Sequence, residues 1–227
     1  MGDLIVASPG CNRRIRRDER TFHVKPKSRS TRFLFLLFLA CAAVGTISFL
    51  RFDVAVARHV YPYTRHLAHA TAGLGGILII SAEAFVLLVL FAIRRICGSI
   101  SPFGKTLMLA CLSSICAYAF NSLVLKVCFG VPTPSQVLEG TAHAFNFLAG
   151  TPGSSFPSGH MALAGAFAGV FMQSYRNSLW PLSALLILGA GLLVLGDWHF
   201  VSDIAAGTFL GIATGMLAGE TWLSREK

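Results

Sequence analysis

Charge is what this sequence has least of. Only 13% of its 227 residues are Asp, Glu, Lys or Arg, while 54% are hydrophobic. That balance excludes an ordinary soluble domain of this size. Period-two alternation is missing from the apolar runs, which excludes a membrane β-barrel and leaves helices as the spanning solution. The six cysteines show no Cys-x-x-Cys and no Cys/His ligand spacing. Cys41, Cys111 and Cys116 fall inside apolar runs, Cys11 and Cys97 in basic segments, and Cys128 near the opposite face. Neither a disulfide framework nor a zinc site is expected, and no metal or cofactor. No Asn-x-Ser/Thr glycosylation site occurs.

What the chain does have is length in apolar runs. Six lie near residues 33–50, 72–93, 106–127, 159–175, 179–196 and 204–222. A hydrocarbon core of about 30 Å takes about 20 helical residues. The expected fold is therefore all-α, a six-transmembrane-helix bundle over residues 33–227. Ahead of it, residues 1–32 read as a basic, disordered cytoplasmic arm. The pairs Arg13-Arg14 and Arg16-Arg17 lie too far from the first run for a twin-Arg signal, and that run has the length of a retained span.

The positive charge is one-sided. With six up-and-down spans, 15 Lys and Arg residues fall on the side of the termini. The other side carries Arg51, Arg58, Arg65 and Lys126. Both termini are then cytoplasmic. The arm is read as setting orientation and touching anionic headgroups, not as binding nucleic acid, because no nucleic-acid-reading domain follows it. Glu83, inside the second run, is either a functional group or an internally bonded structural one. Gly207, Gly211, Gly215 and Gly219 put a small-residue stripe on one face of the last span. It suits close packing within the bundle or between subunits, so oligomeric state stays open.

The same threading brings Lys126, Ser158, His160, His199 and Asp203 to helix ends on one face. Pro157-Ser158-Gly159-His160 opens the fourth span. The N–H groups of a first helical turn suit an anion, and a glycine there allows close approach. A plain Pro-Ser helix cap is the competing reading of those four residues. His199 and Asp203 are four apart, so the carboxylate can fix the tautomer of the imidazole. The other ring nitrogen of His199 can then attack phosphorus and form a phosphohistidine. His160 can protonate the leaving oxygen and later activate water. Lys126 and the N–H groups from Ser158 to His160 would hold the phosphoryl oxygens.

This arrangement resembles the type 2 phosphatidic acid phosphatase superfamily of integral membrane lipid phosphatases. The family pattern is a Lys with Arg-Pro seven and eight residues on, then Pro-Ser-Gly-His, then Ser-Arg, five residues, His, three residues and Asp. Here the first motif is Lys126 with Thr133-Pro134, so Thr133 replaces its arginine. The second is complete, and the third keeps His199 and Asp203 but has Leu192-Leu193 in place of Ser-Arg. The resemblance covers residues 106–219. It implies His199 as nucleophile, Asp203 as its partner and His160 as general acid. Lys126, Ser158, Gly159 and Thr133 would line the phosphate site. Arg65, Arg58 or His143 would substitute for the missing cations.

The expected function is an integral membrane lipid phosphatase that is metal-independent and acts on a phosphorylated lipid of the surrounding membrane. Two alternatives remain: a phospho-headgroup transferase to an alcohol or lipid acceptor, and a non-catalytic membrane binding protein. The expected place is a bacterial inner membrane, with the site on the outer, periplasmic face.

Overall fold

A computed structural model describes residues 27–141 and 147–225, with side chains described for 30–64, 74–141 and 147–222. The arm up to residue 26 lies outside the described residues. Among the described residues every regular element is helical: α1 Lys27–Ile47, α2 Asp53–Cys97, α3 Pro102–Phe120, α4 Lys126–Phe129, α5 Pro134–Leu138, α6 Gly159–Ser174, α7 Leu179–Leu195 and α8 Val201–Arg225. The first helix thus starts inside the stretch read as arm.

Five segments among the described residues are long and apolar enough to cross a membrane: Ser30–Thr64, Leu74–Cys97, Pro102–Leu138, Arg176–Leu195 and Val201–Trp222. The sixth helix of the bundle, α6, is its centre. Met161, Ala162, Leu163, Ala166, Val170 and Met172 are all buried. The lipid-facing surface lies on its neighbours. Phe35, Leu36 and Phe49 on α1 and the turn after it, Phe85 and Leu88 on α2, and Trp180, Ile187 and Leu188 on α7 are all exposed. Apolar side chains turned outward are what a bilayer selects.

Chain direction follows from pairwise contacts. Ser30 bonds Gln173 at one end of the bundle, Phe38 meets Phe209, and Asp53 bonds Ser202 at the other end. So α1 runs antiparallel to α8. The residues Arg51 to Thr71 are helical throughout. The chain then returns along α3: Gly76 lies by Tyr118, and Leu90 by Gly104. Glu83 is buried there against Ser114, whose hydroxyl donates to the Leu163 carbonyl. Glu83 therefore sits in an α2–α3–α6 contact.

The glycine stripe of α8 packs against α6. A Cβ on Gly207 would stand 2.4 Å from the Ser158 carbonyl oxygen. On Gly211 it would stand 2.4 Å from that of Ala162, and on Gly215 2.0 Å from that of Ala166. Backbone touches backbone along the seam, and only glycine permits it. The stripe left open by sequence between intramolecular and intersubunit packing is intramolecular. It brings the starts of α6 and α8, where the two histidines lie, to one end of one seam.

Candidate active site

Local sequence explains how each element begins. Ser158 is the N-cap of α6, and its Oγ accepts from the Met161 N–H at 3.4 Å. Its own N–H donates to the Asp203 carbonyl at 3.0 Å. The start of α6 is thereby tied to the first turn of α8. Ser158 does serve as a cap, as the plain reading had it, and it is fully buried. A Cβ on Gly159 would lie 3.0 Å from the Tyr118 ring. The missing side chain admits α3 there.

His199 sits between two groups of partners. Its Nδ1 is 3.6 Å from Asp203 Oδ2 and 3.3 Å from Ser155 Oγ. Its Nε2 faces His160 Nδ1 at 3.4 Å. Asp203 is 1% exposed, and its Oδ2 also accepts from the Phe200 N–H at 2.9 Å and from the Ser155 hydroxyl. These donors hold the Asp203 carboxyl in place beside Nδ1, and a proton on Nδ1 would leave the Nε2 lone pair turned toward His160. The His160 ring stacks on Trp198, with centroids 5.9 Å apart and planes at 28°. Its far side meets α2, where a Cβ on Gly75 or Gly76 would stand 3.6 Å from Nε2.

Lys126 follows a π-helical turn, Asn121–Leu125, and is buried. Such turns shift the register of later side chains and recur at functional sites. Its charge acts on both Asp203 and His160. The connection after α5 folds back on this end: Leu148 N–H bonds the Cys128 carbonyl, Gly150 N–H that of Val127, and Ser155 N–H that of Val131. A Cβ on Gly150 would lie 2.2 Å from the Lys126 carbonyl oxygen. So four of the sequence-predicted residues, His199, Asp203, His160 and Lys126, come together, with Ser158 and Gly159 adjoining.

Other predicted residues sit elsewhere. Thr133 is the N-cap of α5 in a reciprocal capping box with Gln136. Leu193 is buried in the core beside Trp198, and Leu192 faces outward. Both positions where the family pattern has arginine are thus filled by structural residues. Arg58 is exposed on α2. The Arg65 side chain and His143 lie outside the described residues.

Residues 106–224, just over half of the chain, match the sequence model of the PAP2 superfamily. The chain belongs to the PAP2 superfamily. No curated protein and no solved structure matches it. PAP2 proteins are generally phosphatases, and this one is a multi-pass membrane protein of that kind.

Sequence reasoning gave no role to two buried groups close to His199 in space or in sequence. Ser155, two residues before the Pro-Ser-Gly-His motif, is buried and bonded to both His199 and Asp203. Asp197 lies two residues before His199 with a left-handed φ of 57°. It is buried, its Oδ2 lacks a partner among the described residues, and burial with the nearby Glu139 charge pushes its carboxyl up to about 6. A carboxyl raised on folding binds its proton more tightly in the native state, so stability falls as pH rises from about 4 through 6. Asp197→Asn removes that loss, and asparagine tolerates the left-handed backbone. Thermal unfolding should show the variant more stable than wild type by on the order of 1 kcal/mol at pH 8, with the gap closing by pH 4.

Proposed function

We propose that this protein removes phosphate from a lipid-anchored phosphomonoester or diphosphate through a phosphohistidine on His199. The observation that carries this is the facing pair of ring nitrogens, His199 Nε2 and His160 Nδ1, with His199 Nδ1 turned to Asp203. In the first step the Nε2 lone pair forms a bond to phosphorus, and the bond from phosphorus to the lipid oxygen breaks. His160 gives its proton to that oxygen. In the second step His160 takes a proton from water, whose oxygen attacks phosphorus and releases inorganic phosphate and free His199. Lys126 holds phosphoryl oxygens as negative charge grows on them.

A cavity of about 660 Å³ supports a lipid as substrate. It lies between α1 and α8, and its walls include Phe38, Phe49, Phe129, Phe156 and Phe209, with Asp203 reaching into the lining. A hydrocarbon chain there would leave its headgroup beside the histidines. We place the site on the periplasmic face of a bacterial inner membrane, with both termini cytoplasmic, on the one-sided distribution of Lys and Arg. Loss of both motif arginines favours one second reading, transfer of a phospho-headgroup to an alcohol or lipid acceptor. A structural threonine and a core leucine stand at the two positions where the family pattern puts cations.

The test follows purified full-length protein in detergent with EDTA present. Substrates are phosphatidate, a polyprenyl diphosphate and lipid A, each with and without alcohols. Free phosphate and labelled lipid are both counted. Phosphate release that survives EDTA, and that falls by about 10²–10³ in Lys126→Met, is the expected result. A new acceptor-dependent lipid without free phosphate establishes the transferase instead. If Lys126→Met turns over like wild type, the assigned phosphate site is wrong.

A further inference from the structure

Asp53 lies outside the residues that match the PAP2 superfamily, yet it is bonded to the start of the helix that carries Asp203. It is the first residue of α2, directly after the π-helical turn Ser48–Phe52, and it is 5% exposed. Its Oδ1 accepts from the Ser202 N–H at 3.2 Å, and its Oδ2 accepts from the Ser202 hydroxyl. The two residues are 149 apart in sequence. A helix start normally takes its cap from a residue just before it. Here two carboxylates share the work: Asp203 takes the Phe200 N–H, and Asp53 takes that of Ser202. Gly45 of α1 lies against the same turn, where a Cβ would stand 3.8 Å from that of Ala205 and 3.9 Å from the Ser202 carbonyl oxygen.

We propose that Asp53 is a positioning residue, which fixes the first turn of α8 through Ser202 and so sets Asp203 against His199. The physical chain is short. Without Asp53 the Ser202 N–H and hydroxyl both lose a buried partner, and the turn relaxes toward other acceptors. Asp203 is the next residue and hangs from that turn. Its Oδ2, 3.6 Å from His199 Nδ1, favours the tautomer with the proton on that nitrogen. A displacement of about 1 Å at a reacting group is enough for a loss near 10²-fold.

The kinetic arm rests on His199 acting as the nucleophile; the spectroscopic arm does not. Full-length protein labelled with ¹⁵N-histidine, in detergent, is compared as wild type, Asp53→Asn, Asp53→Ala and Ser202→Ala. His199 resonances should report one neutral tautomer, protonated at Nδ1, in wild type and in Asp53→Asn, which keeps an acceptor for the Ser202 N–H. Asp53→Ala should give a tautomer mixture. Turnover per phosphorylatable site, counted from the burst of phosphoenzyme, should fall 10- to 100-fold in kcat in Asp53→Ala. KM should change less than threefold, and Asp53→Asn should restore most of the loss. Should Asp53→Ala not fold, Ser202→Ala carries the test with a smaller shift in the same direction. An unchanged His199 tautomer in the folded alanine variant overturns the proposal. So does a loss of turnover fully explained by fewer folded sites. Wild type that forms no phosphoenzyme overturns the reading of the site, while the tautomer arm still decides the role of Asp53.

Discussion

His199→Ala should lower phosphate release by about 10⁵-fold, the largest effect of any single side chain. The size follows from the absence of a substitute. His160 is held between the Trp198 face and the Gly75–Gly76 surface, and its Nδ1 points at the space the lost ring would leave. In the proposed first step it loses a proton to the leaving oxygen, so it cannot supply the attacking lone pair as well. Lys126 is buried, and its ammonium has no free lone pair while charged. Asp203→Asn should be milder, about 10²–10⁴-fold, because it leaves the nucleophile and disturbs its tautomer. Phosphorus-labelled lipid, quenched in base, should mark wild type and leave His199→Ala unlabelled. Label that persists in His199→Ala would put the nucleophile elsewhere.

Gly215→Val should abolish folded protein. A Cβ at that position would stand 2.0 Å from the Ala166 carbonyl oxygen and 2.9 Å from the Val170 nitrogen, both backbone atoms. No side chain can move aside, so α6 and α8 must separate along the seam. Overpacking by a methylene in a tight core costs about 1–3 kcal/mol. A branched side chain against backbone exceeds that range, and the seam also holds Ser158 against Gly207. The control is on α7. Gly189 and Gly191 have open space around the Cβ position. Replacing either with alanine should hold or raise the thermal midpoint, because alanine is the better helix former by about 1 kcal/mol. Size-exclusion chromatography and thermal unfolding in detergent read both. A Gly215→Val protein that elutes and melts like wild type would contradict the seam.

The bundle was legible from run length, because a bilayer imposes a length that no soluble core requires. His199, Asp203 and His160 were legible because their spacing and their placement at helix ends on one face are local properties. Other features depend on where distant segments meet. Asp53 gave no signal of its own, since its partner is 149 residues away. Thr133 read as a replaced phosphate ligand, whereas the Gln three residues later makes it a capping box, a signal the sequence did contain. Ser155 was hidden in plain view, because nothing in a hydroxyl's local sequence says which carboxylate it will reach. The direction of the glycine stripe required knowing which helix lies beside α8.

The brevity of α6 has a consequence for the membrane itself. Sixteen residues rise about 24 Å, less than the roughly 30 Å of a hydrocarbon slab. Tyr175 and Arg176 follow its last turn, and such residues anchor at headgroup depth. With that end at headgroup depth and the helix along the membrane normal, the histidine end would lie about 6 Å short of the opposite boundary. A lipid substrate of the proposed kind would have to sink to meet it, by a depth set by the thickness of the surrounding lipid. Turnover measured in bilayers of increasing acyl length would fall as the headgroup plane lifts away from His199.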